Sequence, residues 1–159
     1  MFVITQEKQY FLKLFFVPKI REQRIVNREQ RIVKTNKDMI KSYKEFVVWQ
    51  RAMELVDEIY LITRQMPPYE QYILVAQILR AVISIPSNIA EGWSRNHKAE
   101  FIRFLGIAYA SSAEVETQII IAKKQYPDVN YKKAENLLIE VQKMLVSLIN
   151  KIKNSEREW

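Results

Sequence analysis

Ser84–Trp93 reads SIPSNIAEGW, and the fold depends on whether it is a loop, a broken helix or the rim of a catalytic site. It gathers a proline, two serines, an asparagine and one of the two glycines in a 159-residue chain. Apolar residues nevertheless continue through it. Val82, Ile85 or Pro86, and Ile89 keep the three- and four-residue spacing of one helical face. The spacing predicts a helix that runs on with a kink at Pro86, where the Val82 carbonyl loses its N–H partner. An unsupported helix would lose about 3 kcal/mol there. Ser84, Ser87 and Asn88 carry side chains able to serve the freed backbone. Gly92 is the expected residue just past the helix end, turning the chain at positive φ before "WSRNH".

Outward from this stretch, helical periods fill the chain from about residue 44. Val48, Ala52, Leu55, Ile59, Ile62 and Met66 form a first stripe, which Pro67 and Pro68 end. A second runs Tyr72, Val75, Leu79, Val82, Pro86 and Ile89. The third, Phe101 through Leu105, Ala108, Ser112, Val115 and Ile119 to Ala122, has Asn96 as its expected N-cap. The fourth runs Ala134, Leu138, Val141, Leu145, Leu148 and Ile152. Alternating four-three spacing favours crossings near 20°, and short connections make consecutive helices antiparallel. The expected fold is all-α: an up-down-up-down antiparallel four-helix bundle with a Pro-kinked second helix. The third helix is small at its centre (Gly106, Ala108, Ala110, Ser111, Ser112, Ala113), so another backbone could approach closely. Its extra apolar residues Phe104, Ile107, Tyr109, Ile120 and Ile121 point to a second buried face, and so to a homo-oligomer.

Composition agrees with helices. Two glycines and five prolines are too few for the frequent turns of a sandwich or barrel. The absence of cysteine excludes disulfides and thiolate metal sites and suits a reducing cytoplasm. No apolar run approaches the length of a membrane span. The net charge of +7 is unevenly placed. Residues 1–38 carry nine basic and four acidic side chains, against sixteen and fourteen in the remainder. The basic character thus belongs mainly to a leader that includes the repeat REQRIVN–REQRIVK over residues 21–34. Residues 1–38 are expected to be an extension outside the bundle domain, 39–154 the bundle and 155–159 a tail, with Met39 a plausible natural start.

Catalytic constellations fail one by one. A di-metal carboxylate bundle needs two Glu-x-x-His pairs, but the single histidine, His97, follows Ser94 by three. No phosphate-binding glycine loop, nucleophile elbow or Cys/His pair occurs. Glu114 and Glu116 point to different sides of their helix. Glu114 is expected near the inner stripe, tied to Arg80 on the second helix. Aromatic residues near cations (Trp49, Trp93, Tyr109, Tyr126) fit either core packing or stacking on single-stranded RNA. The expectation is a protein that is not an enzyme and has no metal, cofactor or small-molecule substrate.

Three segments, YKEFVVWQRAMELVDEIY (Tyr43–Tyr60), QILRAVISIPSNIAEGWSR (Gln77–Arg95) and EFIRFLGIAYASSAEVETQIIIA (Glu100–Ala122), resemble the bacterial four-helix-bundle family of 23S rRNA-intervening sequence proteins. The resemblance spans about residues 41–153, and its motif here is Ser84, Pro86, Ser87, Asn88, Glu91, Gly92 and Glu114. It implies a small helical protein assembling as a homopentamer. A related group, accessory proteins of diversity-generating retroelements, implies pentamers that bind RNA and a reverse transcriptase. The family often places two basic residues before A-x-x-S-I-P, where this chain has Leu79–Arg80. Arg80, Arg95, Lys98 and Arg103 are the candidate contacts to RNA, a ribonucleoprotein or another partner. The alternative is a protein–protein or regulatory module that binds no nucleic acid.

Overall fold

The computed structural model describes residues 41–155, which form one compact unit. The expected extension over 1–38, its repeat and the last four residues of the tail lie outside the described residues. A short 3-10 turn, Tyr43–Glu45, leads into α1 (Val47–Thr63). A second 3-10 turn, Pro68–Tyr72, leads into α2 (Leu74–Ser94), and α3 (Lys98–Gln125) and α4 (Lys132–Lys153) follow. Four long helices and no strand are present among the described residues, so the chain is all-α.

Each boundary has a chemical cause. Ser42 accepts a hydrogen bond from the Lys44 amide and opens the first turn. α1 stops at Thr63, four residues before Pro67, and the consecutive prolines commit the chain to the 3-10 corner. The first residue of α2 is capped from outside the helix, because Glu70 Oε2 accepts from the Leu74 amide at 3.2 Å. α3 ends with Lys123 and Lys124 in its last turn, where positive charge complements the helix dipole. Asn130 Oδ1 accepts from the Lys132 amide at 3.0 Å and starts α4.

The first and third stripes are buried along their whole length, and the fourth is buried except at half-exposed Leu148. The second stripe is buried at Val75, Val82, Pro86 and Ile89 and departs from expectation at its start and at Leu79. Tyr72 is exposed on the 3-10 turn and Leu79 half-exposed, while Leu74, Ile78, Ala81 and Ile85 face inward. The large side chains sealed most completely include Leu55 and Ile59 of α1, Ile78 and Ile85 of α2, Leu105 and Ile119 of α3, and Leu145 of α4. Inter-helix pairings set the chain directions. Lys133 pairs with Glu58 and Glu140 with Arg51 between α4 and α1. Lys123 meets Glu135, and Glu116 meets Gln142, between α3 and α4. In both cases the partner numbers fall as the first rise, so these helices run in opposite senses.

α2 passes through Pro86 without interruption, as the spacing predicted. Its end was misplaced. Gly92 lies inside the helix with ordinary negative φ and is buried, so it is not the terminating residue. Asn96, at φ 50°, takes the left-handed turn instead, and His97 rather than Asn96 precedes α3, without a side-chain cap. Glycine stays helical at position 92 because it serves packing. A Cβ built there would lie 2.6 Å from Phe104 Cβ and 3.1 Å from Phe101 Cδ2. Gly106 is the opposite case, with nothing within 4 Å of its absent Cβ.

The two glycines should therefore respond oppositely to alanine. Gly92→Ala meets the rooted Cβ of Phe104, which cannot swing aside, and overpacking costs roughly 1–3 kcal/mol against a helix-propensity gain of about 1. Gly106→Ala meets open space and should gain up to about 1 kcal/mol. Urea denaturation of both variants measures the difference; equal effects would remove the packing role of Gly92.

Candidate interaction surfaces

The stretch that decides the fold also builds the seam between α2 and α3. Asn88 Nδ2 donates to the Ser84 carbonyl at 2.8 Å and to Ser84 Oγ at 2.9 Å. Ser84 Oγ lies 2.8 Å from Ser111 Oγ, and Ser111 Oγ donates to the Ile107 carbonyl at 3.0 Å. With the Ser111 proton committed to Ile107, the proton between the serines belongs to Ser84. The donors then run one way, from Asn88 through Ser84 and Ser111 to the backbone of α3. Ser87 Oγ donates to the Ile83 carbonyl at 2.8 Å, so polar side chains that follow Pro86 support the backbone of the turn preceding it.

Glu114 does not join this seam. It is exposed and accepts from Gln118 Nε2 at 3.1 Å, while Arg80 donates to Gln77 Oε1. The expected Arg80–Glu114 tie is absent because each finds a partner one helical turn away on its own helix.

The four candidate cations do not form one group. Arg80 lies fifteen residues before Arg95 on α2, roughly 22 Å along the helix axis at 1.5 Å per residue. The other three meet at the α2–α3 connection, each already engaged. Arg95 pairs with Glu91, and Arg103 with Glu100 at 3.0 Å. Both guanidinium groups stand over the ring of Phe104, at 5.4 Å for Arg95 and 4.3 Å for Arg103. Phe104 is buried, so this part of the expected second apolar face closes within the chain. Hydrogen bonding from Arg103 holds the Glu100 carboxyl below its ordinary range. Lys98 Nζ donates to the Ser155 carbonyl just beyond α4, where a cation complements the helix dipole.

Topology adds cations that sequence distance concealed. Phe46, just before α1, packs against Trp93 of α2 (5.1 Å between centroids) and Phe101 of α3 (5.8 Å). The Lys98–Ser155 bond brings in the end of α4. One pole of the bundle thus collects Lys41, Lys44, Lys151 and Lys153 beside Arg95, Lys98 and Arg103. In residues 41–46, 91–104 and 148–155, seven basic side chains meet three acidic ones, Glu45, Glu91 and Glu100. The signal was available in the lysines at the two chain-distant helix ends, and only antiparallel packing makes them neighbours.

Trp93 and Trp49 are half-buried, Trp93 against Phe46 and Phe101, and Trp49 edge-on to Tyr43 at 5.4 Å. Packing therefore accounts for both tryptophans. Outside the core, α3 exposes Ile107, Tyr109, Ile120 and Ile121 around Gly106, Ala110 and Ala113. Among the described residues no group of His, Asp and Glu side chains is arranged to hold a metal ion.

Residues 44–147 match the model of the 23S rRNA-intervening sequence protein family, which covers well over half of the chain; the chain belongs to that family. A solved structure from Bacteroides thetaiotaomicron, a protein of unknown function from the S23 ribosomal protein family, is similar at 27% identity and TM-score 0.59. The similarity covers 65% of this chain and 98% of that one. No match is found among curated proteins.

The serine relay should couple α2 to α3 measurably. A double-mutant cycle of Ser84→Ala and Ser111→Ala is expected to give a coupling of about 0.5–1.5 kcal/mol. Strictly additive losses in urea midpoints would show that the hydroxyls act independently.

Proposed function

We propose that this member of the 23S rRNA-intervening sequence protein family is a non-enzymatic, self-assembling adaptor that associates with RNA or a ribonucleoprotein through its basic pole. The seven-to-three excess of basic side chains gathered there from three separate stretches of sequence carries the reading. Phosphate oxygens suit such a surface, because neutralising them releases condensed counterions. Lys41, Lys44, Lys151 and Lys153 form no ion pair among the described residues and are the first contacts assigned. Arg95 and Arg103, already matched by Glu91 and Glu100, position the pole more than they charge it. Arg80 belongs to a separate contact.

Self-association is assigned to the outer face of α3, where Gly106, Ala110 and Ala113 leave a shallow surface between exposed isoleucines and Tyr109. A pentamer is the state that the family resemblance implies. The same apolar face favours a second reading, a protein–protein module without nucleic acid. No described helix is long and apolar enough to cross a membrane. A cytoplasmic setting completes the proposal.

Two measurements test it. Binding of RNA to the full chain should weaken steeply with salt, and the triple variant Lys44→Ala/Lys151→Ala/Lys153→Ala should reduce the log–log salt slope by about one per lost phosphate contact. An unchanged slope would contradict the pole assignment. If partner capture survives RNase digestion, the protein–protein reading replaces it. Sizing in the absence of nucleic acid should show an oligomer that Ala110→Glu dissociates, whereas a stable monomeric parent would contradict self-assembly.

A further inference from the structure

The pole opposite the lysines carries a second feature. The Pro68–Tyr72 turn is braced on several sides. Pro67 and Pro68 fix its entry, Glu70 Oε2 caps α2 at 3.2 Å, and Tyr126 at the end of α3 donates to Glu70 Oε1 at 2.6 Å. The Tyr126 hydroxyl also lies 3.3 Å from that of Tyr69. Acceptance by Glu70 pushes the Tyr126 phenol above its ordinary range, so its donor proton is retained. A corner held this firmly should turn its apolar residues inward. Instead Tyr69 is 65% exposed, Tyr72 90% and Ile73 62%.

The two tyrosines are three residues apart on a 3-10 helix, where side chains at i and i+3 eclipse and the rise is about 2.0 Å per residue. They therefore project from one side, roughly 6 Å apart along the axis. Two successive stacking gaps of a nucleic-acid strand occupy about 6.8 Å, at 3.4 Å each. Arg64 precedes the corner and Lys124 lies two residues before Tyr126. Neither is ion-paired among the described residues, so both can meet backbone phosphate.

We propose that Tyr69 and Tyr72 form an aromatic clamp for a base of single-stranded RNA, with Arg64 and Lys124 meeting the adjacent phosphates. This rests on the reading of the chain as RNA-associated and adds a stacking site at the end of the bundle away from the basic pole. Stacking discriminates strands by access to the base face, so unpaired RNA should be preferred over duplex.

The test is anisotropy of fluorescein-labelled oligouridylate, and of a labelled RNA duplex, against the full chain. Tyr69→Ala/Tyr72→Ala should weaken oligouridylate binding roughly tenfold or more, with little change for duplex and an unchanged salt slope. Tyr69→Phe/Tyr72→Phe should retain binding, because the rings remain. Both substitutions are at exposed positions, and circular dichroism checks the fold. Undiminished oligouridylate binding by the folded alanine variant overturns the clamp while leaving the basic pole intact. A loss confined to the lysine triple variant does the same. A loss confined to the tyrosine variant keeps the clamp and removes the pole. If the alanine variant changes oligomeric size, the corner is a contact between copies and the clamp is wrong.

Discussion

The close approach of α2 to α3 is the constraint on which the rest of the bundle depends. At Gly92 no side chain fits between the α2 backbone and Phe104. Two turns away, Ser84 and Ser111 hydrogen-bond across the same seam. A missing side chain brings the backbones together at one point, and a directional pair of hydroxyls fixes their register at another. Pro86, placed between them, costs the helix one hydrogen bond, but Ser87 and Asn88 donate to the carbonyls of Ile83 and Ser84 in the turn just before it. The stretch that reads as the least helical part of the sequence is therefore its most constrained helical contact.

The contact also arranges the surfaces. Because Gly92 admits Phe104, that ring is sealed at the helix junction and carries Arg95 and Arg103 above it. Their charges are balanced by Glu91 and Glu100, so the junction is an electrostatically quiet lattice. The cations without an ion pair among the described residues come from the ends of other segments, Lys41 and Lys44 before α1 and Lys151 and Lys153 in α4. The apolar excess of α3 then divides in two. Phe104 is used internally, while Ile107, Tyr109, Ile120 and Ile121 remain outside around a row of small residues.

Much of the fold was legible in spacing alone. Every residue of the α1 and α3 stripes is buried, because helical period and burial are two expressions of one geometry. The buried faces are wider, however, and also take in Val56 and Thr63 of α1 and Phe104, Ser111 and Gln118 of α3. The misreadings have local causes. Tyr72 keeps apolar spacing but sits on a 3-10 turn, where that period no longer marks a buried face. Gly92 looked like a terminator on residue type, although it lies three residues after Ile89 and seven after Ile85, on the buried side of α2. Glu114 and Arg80 carry opposite charge on adjacent helices, but each reaches a glutamine on its own helix at shorter range. Surface contacts were less legible than the core. Nearness of Lys44, Lys98 and Lys153 follows from topology, and no local pattern encodes it.

Native-state hydrogen exchange of the full chain tests the central claim directly. If the Gly92–Phe104 contact and the Ser84–Ser111 bond make α2 and α3 one cooperative unit, the amides of Ile89–Gly92 and Leu105–Ser112 should exchange only through global unfolding, despite Pro86. If the amides of α2 beyond Pro86 instead open locally, at markedly lower free energy than those of α3, the seam does not hold the bundle together.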